Sequence, residues 1–258
     1  MLEPLPASAP TDSIAPSPAL PPGAPAPGPG RAVAAMEVVL ASGLPTQFAL
    51  GALLVGLGLA PYDAEGRLSM RYVATLLTAD TVALLALMVW RLRAGGERAR
   101  TVVLGARRWT REVWLGLAML PAVFGGVETL MAVLRRVWPA LHNVDANPFE
   151  ALARSPINAA LLMVLVLVSG GLKEEFQRAF VLHRFEQSLG GAGTGLAVYS
   201  LVFGAGHMIQ GYDVGIATML LGVAWGMTFL WRRSIVAPAV CHAGFNAAQI
   251  VQFIFSAA

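Results

Sequence analysis

The chain has 258 residues, 56% hydrophobic and only 13% charged, about half the charged share usual in a soluble domain. Its mean hydropathy is +0.64, its formal net charge is +3, and Cys241 is its one cysteine. These values exclude a disordered chain, a collagen, a disulfide scaffold and a nucleic-acid-binding domain, and they point to a polytopic helical membrane protein.

Residues 1–30 hold ten of the seventeen prolines, mixed with Ala, Ser and Gly. This stretch has too little bulky apolar surface to offset ordering entropy and reads as a disordered tail. It has no basic leader followed by a continuous apolar core, so it does not read as a signal peptide. After Arg31 the chain becomes a series of apolar runs. A membrane-crossing helix needs roughly 20 apolar residues. The runs lie at about 36–60, 72–92, 113–134, 156–173, 192–209, 214–231 and 235–257. The expected fold is all-α, with about seven membrane-spanning helices (six to eight). Gly43 and Pro45 interrupt the first, which reads as a broken pair. The stretch 93–112 alternates Val102, Val103, Leu104 and Trp109 with arginines, as an interfacial helix would. The chain divides into the tail, the helices of 31–155, and a core of 156–258 in which the ionisable residues within spans concentrate.

Seven arginines cluster between the second and third spans. With seven spans, the side of the N-terminus carries 13 Lys and Arg against 5 on the other, or 10 against 5 without Lys173, Arg178 and Arg184. The N-terminus is therefore expected in the cytoplasm. Arginine outnumbers lysine seventeen to one, a compositional bias that suggests a bacterial source and hence the bacterial cytoplasmic membrane. No internal repeat of the kind found in many secondary transporters is present. Glycine pairs four residues apart (191/195, 211/215, 222/226) allow close helix packing.

Ionisable groups inside spans are costly, which makes each a functional candidate. The first cluster is Lys173-Glu174-Glu175-Phe176-Gln177-Arg178, directly after an apolar run. Its plain alternative is a helix end leaving the membrane with a solvated ion pair. The second is Phe203-Gly204-Ala205-Gly206-His207. In the third, His242 and Asn246 stand four apart and share a helix face. A lone histidine, or one interhelical hydrogen bond of about 0.6 kcal/mol, explains either of the last two singly. Together they supply what peptide hydrolysis needs: a carboxylate to take a proton from water and His or Asn groups to stabilise an oxyanion. Glu174, His207 and His242 also make a plausible His/His/Glu zinc shell with one open position.

These three clusters resemble the motifs of the CPBP family of CaaX proteases and bacteriocin-processing enzymes, also called the abortive-infection family. Its patterns are EExxxR, FxxxH and HxxxN or HxxxB. Phe203-x-x-x-His207 and His242-x-x-x-Asn246 match in order and spacing. The first motif departs: Glu174-Glu175-x-x-Arg178 is one residue short. Anchored on the Glu pair, Glu174 corresponds to the water-activating residue, Glu175 is the next candidate, and Arg178 orients a carboxylate. The resemblance covers about 156–257. It implies an intramembrane endopeptidase acting on a membrane-associated protein or peptide, with no nucleic-acid partner, in a water-accessible cavity opening to the cytoplasm. Family members are described both as metal-dependent, with zinc as the expected ion, and as glutamate-dependent, and both mechanisms stay open. Family substrates include prenylated CaaX proteins and bacteriocin-type peptides; a bacterial source argues against the former.

Two other functions compete: a non-catalytic membrane scaffold or immunity protein, and a proton-coupled transporter. Among rival residues, Cys241 lies about 100° from His242 on a helix and cannot easily use it as a base; a small buried residue is expected there. Asp80 and Glu128 fall within spans, with structural and functional roles both open. His142 and His183 are expected to be solvated.

Overall fold

The computed structural model describes residues 28–256 except 146, 150, 151 and 154. The tail reading at 1–27 thus lies outside the described residues. Pro29 is tied down: the Ser188 hydroxyl donates to its carbonyl at 2.6 Å. Among the described residues the secondary structure is helical, apart from one isolated bridge between Tyr62 and Leu68.

The helices are α1 (Arg31–Ala41), α2 (Leu44–Gly56), α3 (Met70–Ala94), α4 (Ala99–Leu104), α5 (Trp109–Val137), α6 (Pro156–Leu165), α7 (Glu174–Ser188), α8 (Ala192–Gly206), α9 (Tyr212–Arg232) and α10 (Val236–Ser256). The expected apolar runs fall on these helices, the first across α1 and α2 and the fourth across α6 and the turn that follows it. Gly43 takes φ +83 and Pro45 opens α2, so α1 and α2 meet at a 46° bend. Five helical segments are long and apolar enough to cross a membrane, or six with the bent pair. The expected seven exceeds this count. α10 has 21 residues but carries His242, Asn246, Gln249 and Gln252.

The largest departure is at the fourth run. It does not end at Lys173. α6, a π turn (Val166–Lys173) and α7 form one 33-residue span, Pro156–Ser188. The Glu pair therefore sits in mid-span, which removes the reading of a helix end leaving the membrane. A π turn widens the helix locally and is frequent at functional sites.

Two further corrections concern the polar stretches. α4 is only six residues long, and Val103 turns inward to pack with Ala179, Leu182, Phe229 and Ile235 rather than lying along a membrane surface. The histidines expected in solvent have partners: His142 Nδ1 is 2.9 Å from Asp213 Oδ2, and His183 hydrogen-bonds Glu97.

The helix exterior is apolar, as lipid requires, with Phe48 76%, Ile157 79% and Phe255 79% exposed. Trp90, Trp109, Trp114 and Trp231 are exposed near the arginine-rich end, while Tyr62, Trp138 and Tyr212 are exposed near the other. These are two belts of the amphipathic rings that favour membrane interfaces. The apolar spans and belts make this an integral membrane protein. Buried charges are paired: Glu37 with Arg91 and Arg184, Glu112 with Arg232, Asp80 with Lys173. Glu128, by contrast, is exposed on α5.

Candidate active site

Four elements converge on the site: the π turn with α7, then α8, α9 and α10. Close approach depends on missing side chains. A Cβ at Gly170 would collide with Asn246 Nδ2 and stand 3.7 Å from His242 Nε2, and one at Gly171 would lie 2.6 Å from the Ala243 Cβ. Two adjacent glycines thus let α10 lay its polar face on the π turn. Gly222 against Ser200, and Gly226 against Leu196, do the same between α8 and α9, as the glycine pairing implied.

The two carboxylates of the Glu pair lie in different surroundings. Glu175 is 1% exposed. One oxygen pairs with the Arg178 guanidinium and lies 2.9 Å from His242 Nδ1. Glu174 has a side chain 20% exposed, and its Oε2 is 3.8 Å from His242 Nε2. That gap is too long for a direct hydrogen bond. The shortened motif does no harm to the ion pair, because residues three apart on a helix share a face as those four apart do.

Arg178 is fully buried, and its guanidinium carbon lies 5.2 Å from the Tyr199 and Phe203 rings and 5.6 Å from Trp225. Three π faces and one carboxylate hold a cation that solvent does not reach. Trp225 also stacks on His242, with ring centroids 3.9 Å apart at 18°. Nothing in the amino-acid order singles out Tyr199 or Trp225. An aromatic in an apolar span carries no signal of its own, and only the proximity of Arg178 and His242 distinguishes these two.

His207 closes α8, and its Nδ1 donates to the Phe203 carbonyl at 2.8 Å. It makes no hydrogen bond or ion pair with Glu174, Glu175, Arg178, His242 or Asn246 among the described residues. Its link to them is the Phe203 ring, which stands edge-on to His207 at 4.9 Å and to His242 at 6.0 Å. Both histidines therefore lie on one side of the bundle. The hydrogen bonds fix their tautomers. Nδ1 of each faces an acceptor and must carry the proton, so the neutral ring leaves Nε2 as an acceptor.

That tautomer suits a metal ligand, but the placement does not. Among the described residues no three His, Cys, Asp or Glu side chains are grouped so that they could hold an ion. Glu174, His207 and His242 do not form a zinc shell here.

Residues 156–248 match the family model described as type II CAAX prenyl endopeptidase, Rce1-like. The resemblance to the CPBP family holds. The matched segment begins with α6 and ends within α10, so it contains the whole constellation, from Glu174 to Asn246. No curated protein and no solved structure matches the chain. Cys241, fully buried among Trp225, Phe245 and Leu221, is a packing residue.

Proposed function

We propose that this protein is an intramembrane endopeptidase that hydrolyses a peptide bond of a membrane-associated protein or peptide with water activated by Glu174. The observation that carries the reading is the pair of acceptors 3.8 Å apart, Glu174 Oε2 and His242 Nε2. With the carboxylate ionised and the ring neutral, neither can donate to the other, and a water donating one hydrogen to each would bridge them. Glu175 and Trp225 fix the imidazole from its Nδ1 edge and from one face.

In this mechanism Glu174 takes a proton from the water as its oxygen attacks the substrate carbonyl carbon. The carbonyl π electrons move to oxygen, and the Asn246 amide donates a hydrogen bond to that oxyanion. Neutral His242 cannot be the donor, since its one N–H is given to Glu175. Collapse of the tetrahedral intermediate breaks the C–N bond, and Glu174 returns its proton to the leaving amine. His207 Nε2, an acceptor in the neutral ring, takes a hydrogen bond from the substrate, since both water hydrogens are already given to Glu174 and His242. Every proton is accounted for by these side chains and one water.

The test is hydrolysis by the purified chain of an internally quenched peptide ending in an isoprenylated C-a-a-X sequence, with and without chelator. Glu174→Gln keeps the shape but cannot accept the proton, and is expected to abolish turnover in a protein that stays folded. Turnover that survives this change, with wild-type kcat, removes Glu174 as the base. Chelation is expected to leave the rate unchanged, and a rate restored only by added zinc would reinstate the metal mechanism.

A further inference from the structure

Lys173 ends the π turn and immediately precedes Glu174. Its side chain is 3% exposed, and its Nζ lies 3.1 Å from Oδ2 of Asp80, which is fully buried on α3. The same ammonium lies 4.0 Å from Glu174 Oε1. Glu174 thus shows its two oxygens to different partners, Oε1 to Lys173 and Oε2 to His242. Gln47 on α2 places its Nε2 3.5 Å from the same Asp80 oxygen, while Asp80 Oδ1 is buried without a partner.

A buried ion pair in a membrane span is an expensive way to join two helices; apolar side chains of similar volume often do it as well or better. The position of this pair, one residue from a carboxylate that must be aimed, supplies a reason for its presence. We infer that Asp80 and Lys173 are positioning residues for Glu174. This rests on Glu174 as the base. Asp80 holds the ammonium, the ammonium holds Oε1, and Oε2 is thereby kept toward the gap before His242. Neither residue touches substrate. The helices of the N-terminal half, outside the family match, would then set the geometry of the catalytic half.

The same peptide assay separates aiming from mere bridging when kcat and KM are read apart. Lys173→Met is expected to lower kcat about 10- to 100-fold, the scale of a misplaced catalytic group, with KM unchanged. Lys173→Arg, which keeps the charge, should recover most of it. Asp80→Asn should lower kcat, and adding it to Lys173→Met should lower it no further. The exchanged pair, Asp80→Lys with Lys173→Glu, restores a bridge between α3 and the π turn but sets a carboxylate beside Glu174. It should recover thermal stability and not kcat. Full kcat in Lys173→Met, or kcat recovered by the exchanged pair, overturns the inference. Turnover insensitive to Glu174→Gln instead overturns the choice of base. A readout without substrate covers a wild type inert toward the peptide. The His242 Nε2 nitrogen resonance, assigned by its loss in His242→Gln, should move in Glu174→Gln and move alike in Lys173→Met. If it moves only in the former, the anchor is refuted; if it moves in neither, Glu174 does not face His242 and both readings fall.

Discussion

Two neighbouring glutamates differ because about 100° of rotation around the helix separates a packed environment from a partly open one. Glu175 is enclosed with Arg178 and His242, so its charge is committed to holding others. Glu174 is partly exposed and holds Oε2 3.8 Å from His242 Nε2. Glu175→Gln would leave the fully buried Arg178 without its counter-ion, and breaking a buried pair in this way destabilises by about 3–5 kcal/mol. We therefore expect Glu175→Gln to lower the melting temperature in detergent as well as turnover, whereas Glu174→Gln should lower turnover alone. A Glu175→Gln protein with wild-type stability would contradict the assignment. Asn246 gives a second contrast. In the proposed mechanism its amide is the donor left to an oxyanion once His242 is committed to Glu175, so Asn246→Ala should reduce kcat about 100- to 1,000-fold, with fold and any bound metal unaffected. A loss confined to KM would place Asn246 in substrate binding instead.

Among elements, the π turn matters most. The residues Val166 to Lys173 could have continued as α-helix, and the apolar run suggested that they did, ending at the charges. Instead the widened turn carries Gly170 and Gly171 against α10 and delivers Lys173, Glu174 and Glu175 into the bundle. Gly170→Ala should test this contact directly. The new methyl group would collide with the Asn246 amide, so the polar face of α10 must move. Turnover is expected to fall as far as in Asn246→Ala, and helix content should be unchanged. Wild-type turnover in Gly170→Ala would show that α10 does not seat on the π turn as described. α8 and α9 contribute differently, through aromatic side chains that surround Arg178 and one face of His242.

For the whole molecule, the charge distribution defines two ends. Val103 accepts from the Ile235 backbone at 2.8 Å and Glu97 binds Arg184 at 2.5 Å, which brings the α3–α5 connection, the end of α7 and the α9–α10 turn to one end. At the other end Asn143 accepts from the Tyr212 backbone and Asn147 donates to Gln210. Lys173, Arg178 and Arg184 are buried in the core and leave the count of flanking charges, which still favours the arginine-rich end as cytoplasmic. Reporter fusions near Arg100 are expected to report cytoplasm and fusions near Asn147 the opposite side; the reverse pattern would overturn the orientation.

The membrane class, the helical content and the position of each apolar segment were legible in the amino-acid order alone, because lipid demands long runs of apolar residues and internally bonded backbone. The three polar clusters were legible too, since a charge or amide within such a run stands out against it. What the order of residues left undecided was whether the Glu pair left the membrane, which glutamate faced water, and what Lys173, Asp80, Tyr199 and Trp225 did. Those answers depend on contacts between residues tens of positions apart: Asp80 with Lys173, Tyr199 with Arg178, Trp225 with His242. Hydropathy is a property of a local window, whereas the direction of a carboxylate is set by whatever other helices place beside it.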